Sequence, residues 1–157
     1  MSFENLDLDF LERADIEVVL HLGQMILGID TEELGPEFIV EADAFIANLE
    51  EFLQDDLKQL LGLFNSRLIA FLLMGTFKHF VDMTPEQQAT FYNKWVYSRL
   101  GLFRTGASTL KALCGWSYYS LEKSWEAINY PGKTIGREDK TPTLLQGKQP
   151  WQEGMEL

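Results

Sequence analysis

A chain of 157 residues, 46% hydrophobic and 13% aromatic, is long and apolar enough to bury one core, which excludes a chain disordered throughout. A formal net charge of −11 with no cluster of Lys and Arg excludes the basic face that nucleic-acid phosphates require, and disfavours anionic membranes for the same reason. The charge is also lopsided: residues 1–60 hold Arg13 and Lys58 against sixteen acids, which reads as a solvated face or as a surface matched to a basic partner.

Helix-period spacing dominates along the chain and strand-period alternation is nearly absent, so the class is all-α. The expected architecture is a single compact bundle of about five or six helices over residues 1–132, followed by an irregular C-terminal arm over 133–157. The first helix is predicted from Asp15 to Leu27, with Ile16, Val19, Leu20, Gly23 and Leu27 on one stripe and breakers at Gly28, Asp30 and Gly35 after it. The second begins near Pro36, which suits a first helical position because its missing N–H would be unpaired there. It is predicted to turn Phe38, Ala42, Phe45, Ile46, Leu49 and Leu53 inward.

The third stretch, Asp56 to Val81, has Leu57, Leu60, Leu61, Phe64, Leu68, Phe71, Leu72 and Gly75 at three- and four-residue steps. From Leu68 onward it is apolar nearly all round, the pattern of a central helix contacted on several sides. Its most apolar run, Leu68–Phe77, is only about half as long as the roughly 20 residues a bilayer span needs. Met83-Thr84-Pro85-Glu86-Gln87 then reads as a complete helix start, with Thr84 as cap, Pro85 in the first turn and Gln87 completing a capping box. That helix is predicted to present Phe91, Trp95 and Tyr92 or Val96 inward and to end near Gly101. The next, from Leu102 to Tyr119, does the same with Phe103, Ala107, Leu110, Leu113 and Cys114, and a short helix from Leu121 to Ile128 follows. In the arm, three prolines and four glycines from Pro131 onward leave Leu144, Leu145 and Trp151 as isolated apolar residues.

Catalytic patterns are sparse. His21 and His79 are the only imidazoles, and neither stands in a Glu-x-x-His or His-x-x-x-His pattern, so a bundle-type di-metal site has no recognised parts. Glu17 and His21, four apart, read as a surface contact. Cys114 is the single cysteine, which rules out an intramolecular disulfide, and on the inward side of a helix it reads as a small buried hydrophobe. Gly101-Leu102-Phe103-Arg104-Thr105-Gly106 matches neither the dinucleotide nor the P-loop spacing. No catalytic, cofactor-binding or metal-binding residue is assigned to this chain.

The dense feature is a set of aromatic and arginine residues: Tyr92, Trp95, Tyr97, Arg99, Phe103, Arg104, Trp116, Tyr118, Tyr119, Trp125 and Tyr130. Such residues pack cores, and they are also the types that anchor protein interfaces. In this region Met83-Thr84-Pro85-Glu86, Trp95, Ser98-Arg99, Arg104, Leu110-Lys111-x-Leu113, Tyr118-Tyr119, Trp125 and Ile128-x-Tyr130-Pro131-Gly132 follow in an order that resembles the gluconate 2-dehydrogenase subunit 3 family. The resemblance covers about residues 60–132 and rests on the order and spacing of the run, since no single element is specific.

The resemblance implies a non-catalytic, helical accessory subunit. Its partner would be a large glucose-methanol-choline type flavoprotein that oxidises an alcohol or sugar hydroxyl, with the FAD in that partner. Small subunits of this family commonly carry a twin-arginine export signal, whereas this sequence starts with the acidic Met-Ser-Phe-Glu-Asn-Leu-Asp. It therefore reads as cytoplasmic, or as periplasmic where the partner supplies the signal. The expected partner-binding residues are Trp95, Arg99, Arg104, Tyr118, Tyr119, Tyr130 and Trp151. Two other classes stay open: a stand-alone helical protein binding a lipid or other apolar ligand in a closed cavity around Phe71, Met74 and Phe77, and an enzyme using Cys114, His79 or Arg99.

Overall fold

The computed structural model describes residues 6–127. Among them are seven α-helices, one 3-10 turn and no strand, so the chain is all-α. The helices are α1 (Arg13–Leu27), α2 (Thr31–Ala47), α3 (Glu51–Phe64), α4 (Arg67–Met74), α5 (Pro85–Val96), α6 (Gly101–Tyr119) and α7 (Glu122–Ala127), with the 3-10 turn Phe80–Asp82 between α4 and α5. The chain divides into two compact units at Leu121/Glu122; the first carries α1 to α6 and the second carries α7. The expected boundary at residue 132 and the arm beyond it lie outside the described residues.

The central helix is α1. Ile16, Val18, Val19, Leu20, Leu22 and Gly23 are buried over more than one face, and α1 packs against α2, α3, α5, α6 and the 3-10 turn. The sequence placed the central helix in the stretch after Leu68, and the structure corrects that. The predicted helix over 56–81 stops at Phe64, restarts at Arg67 after a 57° bend, and ends at Gly75 in the left-handed region (φ 72°). Of the buried residues in α4 there is one, Ala70.

The break is held from a distance. The carbonyl of Asn65 can only accept, so His79 Nδ1, 2.7 Å away, carries the proton that closes this bond, while Asn65 Oδ1 faces the Val81 N–H at 3.5 Å. The two ends of the α4 excursion are thereby tied together. The returning chain sets Phe80 edge-on against Phe64, ring centroids 4.7 Å apart, and Phe64 also packs on Phe91 and Trp95.

The second predicted helix likewise ends early: α2 stops at Ala47, and Leu53, expected inward on it, is an exposed residue of α3. Inside α2, Gly35 takes φ 68° and ψ −178°, a conformation open to glycine alone, and the regular helix runs from Pro36 as the sequence anticipates. The capping box at α5 also forms as expected, with Gln87 N–H donating to Thr84 Oγ1 (3.3 Å) and Thr84 N–H to Gln87 Oε1 (3.2 Å).

Acidic composition does not mean uniform solvation. Asp43, on α2, is buried, and its carboxylate accepts the backbone N–H groups of Asp9 (2.8 Å), Phe10 (3.0 Å) and Leu11 (2.8 Å). This carboxylate fastens the segment before α1 onto α2.

Candidate partner-binding surface

The turn from α5 to α6 brings the first group of expected interface residues together. Tyr97 closes α5, Arg99 and Leu100 form the connection, and Leu102 opens α6; all four are exposed, as is Arg104. Arg104 folds back over the turn, its Nη1 donating to the carbonyls of Ser98 (2.7 Å) and Arg99 (3.0 Å), while Ser98 Oγ accepts from Leu100 N–H (3.1 Å). The guanidinium thus satisfies two carbonyls of the connection and fixes the turn that displays Arg99 and Tyr97.

The second group lies at the far end of α6. Trp116 and Tyr119, three residues apart, share an exposed face of the helix, and Trp116 reaches Phe45 of α2 at 5.8 Å between centroids. Tyr118 is half-buried beside Tyr119, rings edge-on at 5.5 Å. Its hydroxyl is pushed above the usual tyrosine range, first by desolvation and then by the charge of Glu33.

Trp95 does not belong to this surface. It is fully buried, with ring centroids 4.9 Å from Phe64 and 4.6 Å from Phe103, because position 95 falls on the same inward stripe as Phe91. Tyr130 and Trp151 lie outside the described residues. Of the seven expected interface residues the structure therefore exposes Arg99, Arg104 and Tyr119, half-exposes Tyr118 and encloses Trp95.

Three large apolar residues displayed beside these were not among the expected partner-binding residues, although Trp116 belongs to the aromatic set. Leu100 and Leu102 flank Gly101, and Trp116 is one helical turn before Tyr119; that spacing was the available signal. The greater surprise is α4, where Leu68 (61% exposed), Phe71 (42%) and Leu72 (68%) share one face at three- and four-residue steps. Phe77 (65%) stacks on Phe71 with centroids 4.2 Å apart. Fully burying one such side chain is worth roughly 1.5–3 kcal/mol, and the isolated chain leaves that gain uncollected at four neighbouring residues. The Asn65-Ser66 pair and Gly75, read as breakers, would have marked α4 as a separate short helix.

His21 faces Gln88, not Glu17: Gln88 Nε2 donates to Phe80 O (3.0 Å) and lies 3.0 Å from His21 Nδ1. Cys114 is buried among the core residues, and burial pushes its thiol up to about 12. No group of three or more His, Cys, Asp or Glu converges to hold a metal ion among the described residues. The apolar cavity expected around Phe71, Met74 and Phe77 is replaced by the exposed face of α4. An open groove of about 590 Å³ lies elsewhere, between α1, α5 and α6, with Met25, Ile26, Tyr92 and Val96 along it and Arg104 and Lys111 at its edge. No single helix among the described residues is long and apolar enough to cross a membrane.

Compared with models of protein families, with curated proteins and with solved structures, the chain matches none.

Proposed function

We propose that this chain is a non-catalytic accessory subunit that binds and stabilises, or matures, a large FAD-dependent alcohol or sugar dehydrogenase subunit, as the resemblance to the gluconate 2-dehydrogenase subunit 3 family implies. The observation that carries the reading is the exposed set Tyr97, Arg99, Leu100, Leu102, Trp116 and Tyr119, on α6 and the turn that joins it to α5, a helix pair whose inner face is already closed. Aromatic side chains at the end of α5 and on α6, with Arg99 in the turn that Arg104 fixes between them, are the makeup of an interface anchor. The flavin belongs to the partner, and the complex is a hetero-oligomer in the cytoplasm or, with an export signal on the partner, in the periplasm.

The test is an affinity pull-down of the tagged chain from its native host with an absorbance scan of the eluate. The expected result is a stoichiometric, yellow, large partner. Arg99→Ala or Tyr119→Ala should weaken that complex while lowering the melting temperature little; equal losses in both would make these residues structural. A colourless chain eluting alone would overturn the reading.

The groove between α1, α5 and α6 supports a second reading, in which an apolar ligand with an anionic end lies along Met25, Ile26 and Val96 with its head at Lys111. Titration with a medium-chain fatty acid, followed by tryptophan fluorescence, separates the two, because the subunit reading expects no saturable change.

A further inference from the structure

The apolar face of α4 has a cationic edge. Arg67 opens the helix and Lys78 follows Phe77; both are exposed and neither has a carboxylate partner among the described residues. Along the sequence none of the chain's twenty-four acidic residues falls between Leu57 and Val81, and Asp15 of α1, which lines the same open groove as Arg67 and Leu68, is not within salt-bridge distance of Arg67.

A second patch has the same apolar makeup and the opposite charge. At the start of α3, Phe52 (60% exposed) and Leu53 are displayed among Glu50, Glu51, Asp55 and Asp56, all exposed. Phe52, Asp55 and Asp56 share a helix face at three- and four-residue steps, and none of these acids has a cation within salt-bridge distance among the described residues. The patches lie at opposite ends of one bent helical pair, because α3 alone, with its 14 residues, rises about 21 Å before the 57° bend into α4.

We infer that the chain forms a two-fold homodimer in which the α4 face of each copy, Leu68, Phe71, Leu72 and Phe77 edged by Arg67 and Lys78, covers Phe52 and Leu53 edged by Glu51, Asp55 and Asp56 of the other. A two-fold axis lets each contact occur twice, which closes the assembly at two copies. Pairing α4 against α4 is disfavoured, since it would set the unpaired cations of one copy against those of the other. Cation against carboxylate steers the encounter, and the apolar centre supplies the affinity. The inference does not depend on the subunit reading, whose anchors lie at the α5–α6 turn and the end of α6, so either stands if the other fails.

The experiment measures the mass of the purified full chain by light scattering after size exclusion, at low and high salt. The wild type is expected to be a dimer that weakens as salt rises. Arg67→Glu with Lys78→Glu in one chain, and Glu51→Lys with Asp55→Lys in another, should each give a monomer. Mixing the two should restore a heterodimer, because both of its contacts again join opposite charges; that rescue also proves the variants folded. A wild type that stays monomeric at high micromolar concentration overturns the inference. So does a dimer that neither variant weakens, a ladder of larger species, or a mixture that remains monomeric.

Discussion

The indole of Trp95 is enclosed by aromatic rings, and its Nε1–H is buried with no hydrogen-bond partner among the described residues. An unmade hydrogen bond of this kind costs about 1–3 kcal/mol, whereas truncating a buried Trp to Ala loses about 3–5 kcal/mol, so the ring's packing outweighs the orphaned donor. Trp95→Ala should therefore lower unfolding stability by about 3–5 kcal/mol in urea. Trp95→Phe should cost much less, since it removes the donor and keeps a ring; equal losses would mean that the N–H is satisfied. Cys114 shows the same control by burial. Its thiol is pushed up to about 12 against an ordinary value of 9.0, so the folded state favours the neutral form. The stability that this contributes is fully present below pH 9 and is lost as pH rises from there toward 12. Iodoacetamide at mildly alkaline pH should leave the native chain unlabelled and label it fully in denaturant; rapid native labelling would contradict the burial.

At the scale of elements, the crossing of α1 and α2 depends on Gly23. A methyl group added there would lie 2.9 Å from Leu34 Cδ1 and 2.9 Å from Phe38 Cε1, both on fully buried side chains. Ala is the better helix former by about 1 kcal/mol, but overpacking a close-packed contact costs typically about 1–3 kcal/mol. Gly23→Ala should thus destabilise on balance, by up to about 2 kcal/mol in the urea midpoint, and a stabilised variant would show that α1 and α2 can separate freely. The helix ends divide by the reach of what fixes them. The start of α5 was legible because Thr84 and Gln87 bond to each other within one turn. The end of α3 was not, because its Asn65 cap is held by His79 and Val81, 14 and 16 residues on.

At the scale of the molecule, long-range polar ties position the first segment around the central helix. Asp43 gathers three backbone donors from residues more than thirty positions earlier. Hydrogen bonds to a charged group are worth about 1.5–3 kcal/mol each, so Asp43→Ala should cost at least about 2 kcal/mol. Asp43→Asn should also destabilise, because its amide turns a donor toward one of the N–H groups. Chemical denaturation and amide exchange at Phe10 and Leu11 check both; unchanged protection there would show that the segment is held by its apolar contacts alone. Lys58 and Glu12 meet at 2.7 Å across the same region, but both are solvent-exposed, so this pair orients more than it stabilises.

The sequence by itself determined what local forces decide: an all-helical class, the capped start of α5, the regular run of α2 from Pro36, and the inward stripes Phe91–Trp95 and Ala107–Leu110–Leu113–Cys114. Residues three and four apart share a face in any helix, so such stripes can be read without knowing the neighbours. Only the tertiary structure decided which apolar helix is central and which stands outside. Periodicity gave α1 a single stripe and α4 an apolar surface nearly all round, yet Val18 and Leu22, off the α1 stripe, are buried too, while α4 buries only Ala70. The choice fell to packing: α1 meets most of the other elements of its unit, while the tie between Asn65 and His79 carries α4 outward with Leu68, Leu72 and Phe77 in water. Trp95, already on the inward stripe, is enclosed by that packing, while Arg99 and Tyr119 stay exposed.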